Sequence, residues 1–189
     1  MFNPKIQLAN RRGAIDRPFT RLFNGIGAEV GSHTGWYSCE ILKRKQVAML
    51  FVVDSFLPWH AHTLGNKVLN QWLCRIAAGL MMARFKPWRY RRIYALSWNG
   101  CRDIPDESLD FVYLDAGHDY DSVKRDIAAW WPKVKPGGIF AGNDYFSGCL
   151  GVIQAVNEFA AANNLWVRER SYDFERGYTD FLIHKPTTP

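Results

Sequence analysis

The chain has no C-x-x-C pair, and its four cysteines, Cys39, Cys74, Cys101 and Cys149, stand far apart. That scatter excludes a zinc ribbon or a small disulfide scaffold and predicts reduced thiols in a cytoplasmic protein. Long hydrophobic runs are missing too. The longest, Val47–Val53, is strand-sized and far short of the roughly 20 residues that cross a bilayer, so no membrane partner is expected. No apolar stretch follows Met1-Phe2-Asn3-Pro4-Lys5, so no signal peptide is readable. Repeats, low-complexity blocks and dividing linkers are absent. The expectation is one domain over residues 1–189, with a short N-terminal extension (about 1–23) and a frayed tail at 185–189.

What is present is an ordinary globular composition, 48% hydrophobic and 22% charged, which excludes a disordered chain or a polyelectrolyte. Lys and Arg number 24 against 18 Asp and Glu, a net charge of +6. Arg84, Lys86, Arg89, Arg91 and Arg92 crowd one segment around Trp88 and Tyr90, and Arg11, Arg12, Arg17 and Arg21 form a looser group. Cations interleaved with aromatics can bind phosphates and stack on bases. They also suit a solvated helix end, and both readings stay open.

Apolar periodicity alternates strands with helices. Strands are expected at Ile26–Val30, Val47–Val53, Ile93–Trp98, Leu109–Asp115 and Ile139–Ala141, with a closing pair at Leu165–Val167 and Phe181–His184. Helices are expected at Trp36–Lys45, Lys67–Arg84, Asp121–Trp131 and around Val152–Ala160. In the second of these, Val68, Trp72, Ile76 and Leu80 with Leu69, Leu73, Ala77 and Met81 form one wide apolar face, read as core. The pattern predicts an α/β, Rossmann-like fold. Its seven-stranded sheet is mostly parallel, has helices on both faces, and carries an antiparallel strand in the closing hairpin. Ligands then bind beyond the carboxyl ends of the strands.

The sharpest motif is Glu29-Val30-Gly31-Ser32-His33-Thr34-Gly35, after a strand and before a helix that begins at Trp36. Glycines there allow a tight turn and let a ligand approach the backbone. Asp54 follows about 20 residues on, where such folds hold a ribose. A pyrophosphate needs G-x-G-x-x-G, whereas this loop has His33 near the middle and an acidic residue, Glu29, ahead of it. Glu29 would repel phosphates and hold an ammonium group. S-adenosylmethionine satisfies both observations better than NAD(P), which remains the alternative with an oxidoreductase function.

On these residues the chain resembles the class I SAM-dependent methyltransferases from about Gly25 to His184. Glu29–Gly35 looks like their motif I, with Ser32, His33 and Trp36 beside the cofactor. Asp54 looks like their ribose acid, and Ser97-Trp98 falls where the family flanks adenine. Ser108–His118 resembles the segment near the reacting methyl, which places Asp115 there. Lys133-Val134-Lys135-Pro136-Gly137-Gly138 resembles their turn before the fifth strand. Asp115-x-x-His118 together with Gly142-Asn143-Asp144-Tyr145 is most similar to small-molecule O-methyltransferases, of the family-24 and macrocin sugar types.

That resemblance implies methyl transfer to a hydroxyl, or another nucleophile, of a small molecule or sugar. It carries over Asp115, Asn143 and Asp144 as ligands for Mg²⁺ or Mn²⁺, although Asn143 stands where the sugar enzymes have a second Asp. The same residues also read as turn caps. His118 is the expected base, with an unperturbed pKa of about 6.5, or a residue that orients its loop. His60 and His62 form a weak metal pattern without a third ligand. No N/D-P-P-Y/F tetrapeptide and no Pro-Cys dipeptide occurs, which argues against the two DNA-methylating chemistries. A nucleic-acid-binding module, or an RNA methyltransferase using Arg84–Arg92, remains the other alternative. A pocket completed by a homodimer partner also fits so short an N-terminal extension.

Overall fold

Among the described residues, seven strands and four helices account for the alternation. The computed structural model describes residues 17–57, 64–173 and 178–187. The strands are β1 (Gly25–Val30), β2 (Val47–Val53), β3 (Tyr90–Ile93), β4 (Leu109–Leu114), β5 (Val134–Gly142), β6 (Arg168–Asp173) and β7 (Tyr178–His184). The helices are α1 (Trp36–Leu42), α2 (Leu64–Met82), α3 (Tyr120–Trp130) and α4 (Leu150–Ala162). The sheet order is β3-β2-β1-β4-β5-β7-β6. The first five strands are mutually parallel, and β7 lies antiparallel to both β5 and β6.

Period-two alternation splits the strand side chains between two cores. Phe111 and Tyr113 of β4 join Phe23, Tyr37, Ile41, Leu50 and Met82 on the face covered by α1 and α2. Val112 and Leu114 join Val30, Val53, Trp130, Phe140 and Val156 on the face covered by α3 and α4. Burying both faces explains why β2 and β4 read as near-continuous apolar runs.

β5 and β7 begin earlier than expected, at Val134 and Tyr178, and three further elements differ in place or in the face they bury. The third strand is Tyr90–Ile93 rather than Ile93–Trp98, and Ser97–Asn99 is a 3₁₀ turn. The sixth begins at Arg168, beyond Leu165–Val167. Both are edge strands, where polar residues such as Arg91, Glu169 and Arg170 are favoured and apolar alternation is weakest. The third difference is the apolar face of α2. Trp72 is 56% exposed, Leu80 is 73% exposed, and Leu73 and Ile76 are exposed as well. The helix rests instead on Ala78 and Met82, both 0% exposed. Small Ala78 lets α2 approach Gly35 so closely that a Cβ there would lie 3.1 Å from the Ala78 Cα. Thermal melts should therefore separate the two rows. Leu80→Lys should stay within about 0.5 kcal/mol of the parent, while Met82→Ala should cost about 2–5 kcal/mol.

Candidate active site

The loops leave the carboxyl edge of the sheet in step. Gly31 N–H donates to Val53 O at 2.8 Å, Asp115 N–H to Val30 O at 2.8 Å, and Asn143 N–H to Leu114 O at 2.9 Å. Gly31 has φ +97°, and a Cβ on it would fall 2.0 Å from the Asp115 carbonyl oxygen. His33 and Gly35 are also left-handed, with φ +47° and +73°. Gly35 N–H donates to Ser32 O at 2.7 Å, closing the turn into α1, where Trp36 is half-buried. Ser32 is buried, and its Oγ has no hydrogen-bond partner, a cost that proteins rarely leave without a ligand or water. Asp54 ties this loop to the end of β2. Its Oδ2 accepts from His33 N–H and its Oδ1 from Phe56 N–H, both at 2.7 Å, and each oxygen keeps a lone pair for a further donor. A turn with a glycine at each end, an orphan hydroxyl and a fixed carboxylate fit an aminoacyl nucleoside.

Glu29 plays another part. It is 1% exposed and accepts a short hydrogen bond from Ser38 Oγ of α1. Burial pushes its pKa up to about 8. It braces α1 under the loop, so the expectation that Glu29 presents a carboxylate to an ammonium group is corrected. Ser97 and Trp98 are tied to α3: Ser97 O accepts from Trp130 Nε1 at 2.9 Å, and Arg125 stacks 4.2 Å from the Trp98 ring centroid.

Beside the glycine loop, β4 and β5 bring Asp115, His118, Asn143 and Asp144 together. His118 Nε2 lies 3.0 Å from Asp144 Oδ2. Asp144 is buried, with φ +59°, whereas the imidazole is nearly half-exposed. The bond to Asp144 raises the His118 pKa above its ordinary value, against the opposing pull of partial burial.

Asp115 is held from below by residues that the sequence did not show to be its partners. Arg17 donates to Asp115 Oδ2 at 3.0 Å and to Tyr113 Oη, and its guanidinium lies 4.2 Å from the Tyr37 ring centroid. Tyr113 in turn donates to Asp180 Oδ1 at 2.9 Å. Asp180 is 0% exposed, and burial pushes its pKa up to about 7. One signal was available: a carboxylate between Thr179 and Phe181-Leu182-Ile183 breaks an apolar strand and needs an internal partner.

This arrangement corrects the hard-cation reading. One Asp115 oxygen faces the Arg17 guanidinium, the other accepts from Asn143 Nδ2 at 3.4 Å, and Asp144 faces His118. Mg²⁺ or Mn²⁺ wants free oxygens in a near-octahedral shell, and here it would meet a fixed positive charge. Asp115, Asn143 and Asp144 do not fit that ion. His60 and His62 lie outside the described residues, as do Arg11 and Arg12.

On the buried face of α3, Asp126 is 1% exposed and burial pushes its carboxyl up to about 6, partly offset by a bond to Ser97. An acid with a raised folded pKa is protonated in the native state while the unfolded chain ionises. Stability therefore falls as pH rises from about 4 to 6 and stays low above. Asp126→Asn should flatten that fall, gaining roughly 2–3 kcal/mol relative to the parent between pH 4 and pH 8, because each pH unit separating the folded and unfolded titrations is worth about 1.4 kcal/mol. Denaturant melts at the two pH values measure it, and an unchanged slope would refute it.

Comparison with known proteins decides the family. The profile of a family described as a methyltransferase domain matches residues 28–145, more than half of the chain. The chain belongs to this family. It is a class I, SAM-dependent methyltransferase, and the sheet order with antiparallel β7 is the fold of its structural neighbours. The O-methyltransferase NovP is 18% identical with TM-score 0.61, over 95% of this chain and 79% of that one. The N-methyltransferase NodS from Bradyrhizobium japonicum is 12% identical with TM-score 0.62, over 97% and 98%. A Burkholderia thailandensis 1,6-didemethyltoxoflavin N1-methyltransferase, with S-adenosylhomocysteine bound, is 11% identical with TM-score 0.64, over 96% and 83%. At these identities the neighbours share the fold. No curated protein sequence matches the chain. In this methyltransferase the glycine loop with Ser32, the end of β2 with Asp54 and the Asp115–His118 loop stand together at the carboxyl edge of the sheet.

Proposed function

We propose that the chain methylates a hydroxyl of a small molecule or sugar, with His118 taking the proton and Asp144 positioning it. The observation that carries this reading is the 3.0 Å contact between His118 Nε2 and Asp144 Oδ2 at the edge where the glycine loop opens. Gly31, Ser32, His33, Gly35, Trp36 and Asp54, with Ser97 and Trp98 toward the adenine, would hold S-adenosylmethionine, which supplies an electrophilic methyl when bound.

A hydroxyl is a weak nucleophile until its proton leaves, so a built base favours oxygen over a neutral amine. Asp144 accepts from one ring nitrogen and fixes the tautomer, so the other nitrogen is the one that accepts from the substrate. Asp115 stands nearby with its charge offset by Arg17, so it orients polar groups without repelling an approaching oxyanion.

The nucleic-acid alternative gains little from its basic segment. Arg89 Nη2 donates to the carbonyls of Leu42, Arg44 and Val47, Arg92 to that of Arg75, and Arg84 to that of Met81. These cations cap helix ends and join elements. Among the described residues no helix is long and apolar enough to cross a membrane, and all four cysteines are free thiols. We place the protein in the reducing cytoplasm on the thiols.

Calorimetry tests the cofactor. S-adenosylhomocysteine should bind in preference to NADH, and Asp54→Ala should weaken it by about 1.5–3 kcal/mol through lost charge-assisted hydrogen bonds. Preference for NADH would replace this reading with the oxidoreductase.

A further inference from the structure

The base dyad has a third neighbour. Cys149, at the N-cap of α4, is half-exposed, and its sulfur belongs to a group in which the ligand atoms of His118, Asp144 and Cys149 all lie within 4.8 Å of one another. Three separate elements deliver them: the β4–α3 loop, the residue pair after β5, and the start of α4. Their meeting is fixed by close packing at Gly151. A Cβ there would lie 2.7 Å from His118 O and 2.6 Å from Tyr120 N, so the first turn of α4 sits directly on the His118 loop.

The geometry points to a binding site for a zinc-like divalent cation formed by His118, Asp144 and Cys149, whose occupation withdraws His118 from proton transfer and so inhibits the enzyme. The donor chemistry selects the ion. One imidazole nitrogen, one carboxylate oxygen and one thiolate sulfur form a mixed set that suits zinc or cobalt and disfavours magnesium, which takes oxygen alone. A tetrahedral zinc with bonds of about 2.0–2.3 Å spaces its ligands roughly 3.3–3.8 Å apart. Closing the site needs movement on the order of 1 Å, within reach of the nearly half-exposed imidazole. Three protein ligands leave a fourth position for water on the solvent side. Binding transfers no electrons: the thiol releases its proton to solvent as sulfur coordinates, and the ring nitrogen facing Asp144 becomes a ligand as its proton moves to the other ring nitrogen, which removes the lone pair a base needs.

The inhibitory half rests on the proposed role of His118, but the site itself does not, so its test uses neither cofactor nor acceptor. The full chain is titrated with Co²⁺ alone and followed by absorption. Saturable one-to-one binding with a thiolate-to-cobalt charge-transfer band is expected. Cys149→Ser should remove that band and weaken binding at least roughly tenfold, and His118→Asn should weaken it similarly while keeping the band. Cys74→Ser is the control, because Cys74 Sγ lies 3.2 Å from His33 Nε2 and forms a second Cys–His pair. It should leave the band intact. Absence of saturable binding, a band that survives Cys149→Ser, or one lost with Cys74→Ser would overturn the site. If the band behaves as expected but Zn²⁺ does not slow turnover, the inhibitory role falls.

Discussion

Replacing His118 by alanine should lower turnover by about 10²–10⁴-fold, the range of a positioned general base, and leave S-adenosylhomocysteine affinity unchanged. The split follows from where the residue stands. His118 contacts Asp144 after β5, whereas the cofactor side proposed above is built from the Gly31–Gly35 turn and Asp54. Asp144→Asn keeps the shape of the side chain but removes the charge that holds the ring, so its loss should be smaller and should also fall on kcat rather than on cofactor binding. In the same assay, turnover in EDTA should equal turnover in magnesium, because Arg17 occupies one Asp115 oxygen. Full activity of the alanine variant would remove histidine from the mechanism. Dependence on magnesium would show that Arg17 yields to a metal.

Gly31→Ala should be nearly as damaging, through structure rather than chemistry. The new methyl would fall 2.0 Å from the Asp115 carbonyl oxygen and 2.8 Å from Ala116 Cα, both backbone atoms, at φ +97°. Neither can yield without parting β1 from β4 where both walls of the crevice begin. Left-handed strain alone costs on the order of 1–3 kcal/mol, and the clash adds to it. A melting temperature lower by roughly 6–12 °C is expected for about 3 kcal/mol in a chain of this size, with S-adenosylhomocysteine binding lost. Gly137→Ala is the comparison: φ is +78°, but the nearest atom to the new Cβ is Thr187 Cγ2 at 3.3 Å. It should show strain alone and bind normally. A Gly31→Ala protein that melts and binds like the parent would mean the crevice does not need this close approach.

The sequence reveals most of the fold because buried parallel strands and their punctuating glycines are local signals. β2 coincides with Val47–Val53, and β1 and β4 fall within a residue of expectation. Edge strands carry weaker signals, which is why β3 and β6 were displaced. The face of α2 could not be read, since so wide an apolar face does not say which row meets the sheet, and small Ala78 decided it. The glycine turn after β1 and the meeting of the β4 and β5 ends were legible as motifs. The Arg17–Tyr113–Asp180 chain was not, for its members are 96 and 67 residues apart in sequence, and only tertiary packing makes them neighbours. Glu29 was visible as an acid ahead of the loop, but period two alone did not show that its side chain turns toward α1.

The position of β7 sets the order in which the sheet can be completed. It is the last strand along the described chain, yet it is an interior one, hydrogen-bonded to β5 on one side and β6 on the other. While the ribosome is still adding the residues before Tyr178, β5 presents an apolar edge that nothing covers, and β6 has no neighbour. Pairing must then close over long sequence separations, the slow class of folding step, and such open edges invite association between nascent chains. Asp180 arrives with this strand, so the cage around Arg17 is completed only as β7 slots into place. Assembly of the Asp115 side of the crevice thus waits on the final insertion of the sheet.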